Sequence, residues 1–228
     1  MASLSKDVSL AEYAEFINLV YGMPNERYYS GNDMLINVQR FTMRSIKGVR
    51  KGNHEKIKLN LLISTSWFIS FINRLHISLD GEVWKRFPGV CSYCGKRPCA
   101  CKAEKVKARR KISSNGVPRP ATISQYQSMF ERIYPSSNRT VEDAAIHLAE
   151  ELGELSEAFH IFMGDRTERH FALLCSEAAD FFSCIMGLLN SIGVSLSEAL
   201  SEAFTDNCHV CHNAPCTCTF NSINNYKS

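Results

Sequence analysis

Long uninterrupted apolar runs are missing from this sequence. The longest, residues 61–72, is broken by Ser64, Thr65, Ser66 and Ser70 and stops at Asn73–Arg74. A bilayer-crossing helix needs roughly 20 predominantly apolar residues, so the run predicts no membrane span. The opening MASLSKDVSLAEYAEF holds no apolar core of the kind a secretory leader carries. Sustained strand-like alternation of apolar and polar residues is absent too, which leaves helices as the only regular element. Together these absences predict a cytoplasmic, all-α chain with no membrane partner. Apolar residues at 45% and charged residues at 21% of 228 exclude wholesale disorder, and that length can build a core without covalent staples.

Acidic residues are scarce in the first half. Residues 1–115 carry 20 basic against 9 acidic side chains, and residues 116–228 carry 6 against 14, so that net charges of +11 and −8 hide inside a total of +3. Such a division predicts two halves with different electrostatic duties.

Cysteines are abundant and patterned. Cys91, Cys94, Cys99 and Cys101 form C-x2-C-x4-C-x-C, and Cys208, Cys211, Cys216 and Cys218 repeat that spacing, each with a proline (Pro98, Pro215) before the third cysteine. Clustered thiols in a reducing compartment point to metal rather than disulfides. Four thiolates close a tetrahedral site, with structural zinc as the default occupant and iron–sulfur as the alternative. Spacing leaves open whether each cluster holds its own ion or the two pool ligands, and whether His209 or His212 replaces a thiolate. Cys175 and Cys184, within an apolar helical pattern, read as small buried hydrophobes.

The repeated cysteines prompt a search for a longer repeat. A shift of 117 superposes residues 60–101 on 177–218 and matches Ser66/Ser183, Asn73/Asn190, Ser78/Ser195, Leu79/Leu196 and Phe87/Phe204. A shift of 113 pairs Tyr13 with Tyr126 and Tyr21 with Tyr134, and one of 110 pairs Asp33 with Asp143. The chain therefore reads as two repeated helical halves, 1–101 and 121–218. A basic, Ser/Pro-rich linker (102–120) joins them, and a short tail (219–228) follows. Each half is read as three helices, a short helix and a cysteine knuckle. In the second half, helices are expected over 123–134, from an N-cap at Thr140 to about 163, over 167–191 with Gly193 as the stop, and over 196–204 behind Ser195.

The second half also gathers carboxylates. Glu150, Glu151, Glu154 and Glu157 lie on one helix, and Glu177 and Asp180 form an i,i+3 pair on the next. Placed antiparallel, these pairs converge. Like charges that close need a cation, and an all-carboxylate oxygen shell suits Mg2+ or Mn2+. Leu173, Leu174, Phe181 and Phe182 around Glu177 and Asp180 imply burial, which makes a partner obligatory.

The stretch EELGELSEA followed by EAADFFSCIMGLLNSIGV resembles the E-E-x-x-E … E-x-x-D signature of MazG-like nucleotide pyrophosphohydrolases. These belong to the all-α NTP pyrophosphatase superfamily, together with dimeric dUTPases and phosphoribosyl-ATP pyrophosphohydrolases. The likeness covers about residues 140–206 and does not include the knuckles. It implies helical-bundle subunits that pair and hydrolysis of an NTP or dNTP to the monophosphate and pyrophosphate. It further implies Mg2+ held by Glu151, Glu154, Glu177 and Asp180, with Glu154 also catalytic and Glu150 a second-metal ligand or water activator. In the first half the corresponding positions are Arg40, Phe41, Arg44, Lys47, Asn60 and Ile63, so that half reads as a degenerate copy in a pseudo-dimer, monomeric or paired again as a homodimer. Arg166, Arg169 and Asn190, together with Arg40, Arg44 and Lys47, are the substrate-contact candidates. Two other readings compete. One is a zinc-knuckle nucleic-acid-binding or regulatory protein using the basic half and residues 102–111. The other is a di-iron bundle built on Glu157 and His160, which needs a second E-x-x-H that the chain does not supply.

Overall fold

The computed structural model describes residues 2–110, 112 and 116–226. Lys111 and residues 113–115 of the expected linker, and 227–228 of the tail, lie outside the described residues. Among those described there are ten α-helices and no strand: α1 (Leu10–Tyr28), α2 (Gly31–Arg50), α3 (His54–Arg74), α4 (Leu79–Arg86), α5 (Cys101–Glu104), α6 (Ile123–Ile133), α7 (Val141–Gly164), α8 (Glu168–Ser191), α9 (Leu196–Ala203) and α10 (Phe220–Asn224). The all-α expectation holds.

Local chemistry sets the ends. Ser9, Ser30 and Thr140 each accept from the backbone N–H three residues on, while Glu12, Asp33 and Asp143 reach back to the cap. Two otherwise unpaired donors are satisfied at each start. The matched pair Ser30/Asp33 and Thr140/Asp143 keeps the offset of 110 seen in sequence. α8 stops where Gly193 takes φ +66°, a backbone region that costs a side-chain-bearing residue. His76 accepts that cost at φ +55° after α3.

The chain packs as two compact units that cut across the sequence halves: one is 1–78 with 195–228, the other 79–194. The short helix and knuckle that follow the first three helices therefore belong to the second unit, and their later counterparts belong to the first. The boundary expected at 101–121 is replaced by breaks at 78/79 and 194/195.

In the first unit α2 and α3 form the main pair, with α1 and α9 against α3. Phe41, Leu61, Phe68, Phe71 and Ile72 fill its core. In the second unit α7 and α8 pair, with α4 and α6 against α8. Its core comes from Leu148, Leu152, Leu155 and Phe159 of α7 with Phe181, Phe182, Ile185 and Leu189 of α8, spaced as a helical stripe.

Corresponding bonds recur within each unit. Asn73 Nδ2 donates to the Ala14 carbonyl, and Asn190 Nδ2 to that of Gln127. The Cys216 N–H donates to the Val20 carbonyl, and the Cys99 N–H to that of Ile133. Phe204 stacks edge-on with Tyr21, as Phe87 does with Tyr134. α8 is apolar enough by composition to cross a bilayer, with a window of mean hydropathy 1.6, yet 78% of that window is buried in the fold.

Candidate metal centre

α7 and α8 are joined by a three-residue turn, and three pairs lie equally far from it along the two helices: Glu154 and Glu177, Glu151 and Asp180, and His147 and Cys184. The core stripe orients them. Leu148, Leu152 and Leu155 anchor one side of α7, which turns His147, Glu151 and Glu154, at i, i+4 and i+7, along a single adjacent strip.

Carboxylate oxygens of Glu151, Glu177 and Asp180 all lie within 4.8 Å of one another. Glu151 Oε2 and Glu177 Oε2 are buried with no hydrogen-bond partner. Asp180 is buried, with 8% of its surface exposed, and its two oxygens receive a forked pair of bonds from the Arg86 guanidinium: Nε to Oδ1 at 2.9 Å, and Nη2 to Oδ2. Arg86 ends α4, so the partner of the buried acid comes from the basic first half of the sequence, outside the candidates Arg40, Arg44 and Lys47. No local motif marks Arg86. Its repeat position in α9 is Ala203, where no motif acid is present to need it.

Burial, Asp180, Glu154 and Glu151 push the Glu177 carboxyl up to about 7, against the pull of Arg86. Glu154 is raised by partial burial and then by Glu151 and Asp180. Asp180 is lifted by burial and held back by the Arg86 bonds. A cluster of carboxylates that favours protons in this way is one that favours a cation. Glu154 stands exposed at the rim, outside the tight group but within its field. Glu150 is exposed and outside the group, and Glu157 and His160 are exposed on the outer side, which removes the E-x-x-H reading.

The other candidates scatter. Arg166 and Arg169 are exposed at the α7–α8 turn, with about 12 Å of helix rise between Arg169 and Glu177, so they do not meet the acidic group. Asn190 is used up in packing: its Oδ1 accepts from Gln127 Nε2 at 2.9 Å and its Nδ2 donates to the Gln127 carbonyl. In the first unit Arg40 Nη2 donates to the carbonyls of Asn224 and Tyr226, and Arg44 Nη1 to that of Tyr226. These two cations hold the chain's own tail, and Lys47 is exposed. Phe41, Ile63, Ala203 and Tyr226 help line an apolar cavity of about 110 Å3 in the first unit.

Each cysteine cluster closes on itself, with all four Sγ atoms within 4.8 Å of one another. Cys91–Cys101 and Cys211–Cys216 are 3.7 Å apart, and Cys94–Cys99 and Cys208–Cys218 are 4.0 Å. A tetrahedron with Zn–S of about 2.3 Å has S–S edges of about 3.8 Å, so either cluster could hold a metal such as zinc. Every cysteine is free of disulfides. Backbone N–H groups of Tyr93, Ala100 and Cys101 point at sulfur in one cluster and those of Val210, Thr217 and Cys218 in the other, which favours thiolates. His209 Nδ1 pairs with the Tyr21 hydroxyl and His212 Nδ1 with Asp206, and neither joins the thiols.

Of the basic segment, Arg109 lies over the Tyr93 ring and Arg110 pairs with Glu104. Cys175 is buried as expected. Cys184 is buried too, but it faces His147 and Glu151 rather than only apolar neighbours. Comparison with family models, curated proteins and solved structures finds no match to this chain.

Proposed function

We propose that the α7–α8 face is the centre of a magnesium-dependent nucleotide pyrophosphohydrolase that converts an NTP or dNTP to the monophosphate and pyrophosphate. The observation that carries this reading is the pair of buried, unpartnered oxygens, Glu151 Oε2 and Glu177 Oε2, in one tight group with Asp180. A buried acceptor without a partner is costly, and a buried charge far more so, so the arrangement asks for a cation. An all-oxygen donor set is the kind that hard ions such as Mg2+ and Mn2+ take. The MazG-like pattern of the same residues supports the same ion and reaction.

A magnesium ion bound by Glu151, Glu177 and Asp180 would supply the charge neutralisation that phosphoanhydride cleavage chiefly requires. Glu154, exposed at the rim and raised in pKa, would orient water and take its proton as the α-phosphorus is attacked. Arg86 offsets the charge of Asp180 through the forked bond. The exposed Glu150 contributes charge near Glu154 rather than a ligand.

We read the first unit as the copy that lost this chemistry. The matched caps, Asn bonds and knuckle ties support a duplication in which each half lends its short helix and knuckle to the other's unit.

The test is pyrophosphate release from a panel of NTPs and dNTPs by zinc-loaded protein with Mg2+. Wild type should release it from at least one nucleotide, and Glu154→Gln and Asp180→Asn should lower the rate by about 100-fold or more. No release from any nucleotide, or undiminished release by both variants, overturns the reading.

A further inference from the structure

The third pair of the α7–α8 strip has a different donor chemistry from the other two. His147 Nε2 lies 3.2 Å from Glu151 Oε1, and a ring nitrogen of His147, an oxygen of Glu151 and the Cys184 sulfur all fall within 4.8 Å of one another. One nitrogen, one sulfur and one oxygen meet at a point where the neighbouring pairs offer oxygen alone.

We propose that His147, Glu151 and Cys184 form a further divalent-ion site suited to zinc or another borderline-soft ion. Imidazole and thiolate select zinc-class metals, whereas Mg2+ takes oxygen. Three protein ligands leave a coordination position open, unlike the closed four-thiol clusters. Access and enclosure are both present: the His147 side chain is 57% exposed, and Cys184 is 7% exposed at the inner end. Two observations besides the grouping point to a ligand. Glu151 presents one oxygen to His147 and keeps its other oxygen buried and unpartnered, which is the arrangement of a carboxylate serving two neighbouring sites. Cys184 is buried in α8 with a ring nitrogen of His147 and an oxygen of Glu151 grouped around its sulfur. A bound ion would remove the Cys184 thiol proton outright.

This site does not require the hydrolase reading, and its test needs no nucleotide. Full-length wild type and the variants His147→Ala and Cys184→Ser are dialysed to equilibrium against micromolar free zinc, and bound zinc is measured per chain. Wild type should hold one more equivalent than either variant. The same preparations, loaded with cobalt in place of zinc, should differ in thiolate-to-metal charge-transfer absorption, with part of the band lost in Cys184→Ser. Equal zinc content in all three proteins overturns the proposal. His147→Ala removes a largely exposed side chain, so it keeps the comparison decisive if the core variant Cys184→Ser does not fold. A third equivalent in a protein that releases no pyrophosphate would sustain this site and not the hydrolase. Release without that equivalent would do the reverse.

Discussion

Removing a charge from the acidic group should make the metal-free protein more stable. Glu177 carries the clearest expectation. In the fold its carboxyl is raised from an ordinary 4.5 to about 7, first by burial and then by Asp180. In the unfolded chain it ionises near its ordinary value, so between about pH 4.5 and 7 the folded state binds more protons. Stability from this group is then fully present at the acid end and lost as pH rises through 7. Each pH unit of displacement corresponds to about 1.4 kcal/mol, which bounds the penalty at about 3 kcal/mol. Half-solvation of the side chain reduces it to about 1–2 kcal/mol. Glu177→Gln keeps the shape and drops the charge. In magnesium-free buffer at pH 8, with zinc retained, the variant should melt roughly 2–8 °C above wild type, and the difference should vanish near pH 4.5. Adding Mg2+ should raise the wild-type melting temperature and close the gap. Scanning calorimetry at the two pH values reads this directly. A variant that melts below wild type at pH 8, or a gap that is unchanged at pH 4.5, would refute the account of a strained carboxylate group.

Three further outcomes follow from the same geometry. Arg86→Ala strands the buried Asp180 charge, so it should cost about 3 kcal/mol, and pairing it with Asp180→Asn should recover much of that loss. A double-mutant cycle by urea unfolding with no coupling would contradict the forked bond. Removing the metal from the knuckles with a strong chelator should release zinc and lower the melting temperature, because four inward-facing thiols at 3.5–4.0 Å have no disulfide to replace the ion. An unchanged melt after complete zinc loss would exclude a structural role. Truncation after Cys218 frees Arg40 and Arg44 from the carbonyls of Asn224 and Tyr226 and should cost about 1–3 kcal/mol, checked by the urea midpoint.

Much of the helical plan was legible because it rests on local chemistry. Thr140 and Asp143 cap α7 as the spacing requires, Gly193 ends α8, and the Leu148–Leu152–Leu155–Phe159 stripe is the face that packs. The acidic pairs were legible for the same reason: i,i+3 spacing on two helices joined by a tight turn leaves little choice of register.

What sequence did not disclose is long-range. Nothing local says that residues 79–101 pack with 121–194 rather than with the helices preceding them, and Arg86 was invisible as a partner for that reason. Its contrast with Ala203 becomes meaningful only once α4 is known to lie on α8. Cys184 looked apolar because its helix is apolar, and His147 sits on α7, far away in sequence. Asn190 went the other way: a polar residue that invited a ligand is spent on Gln127.

The most direct test of the central claim, that Glu151, Glu177 and Asp180 grip one hard divalent ion, is Mn2+ binding to the zinc-loaded chain followed by electron paramagnetic resonance. Wild type should bind Mn2+ and yield it to excess Mg2+, and Glu151→Gln combined with Glu177→Gln should bind neither. Equal Mn2+ uptake by wild type and the double variant, or none by wild type, would contradict it.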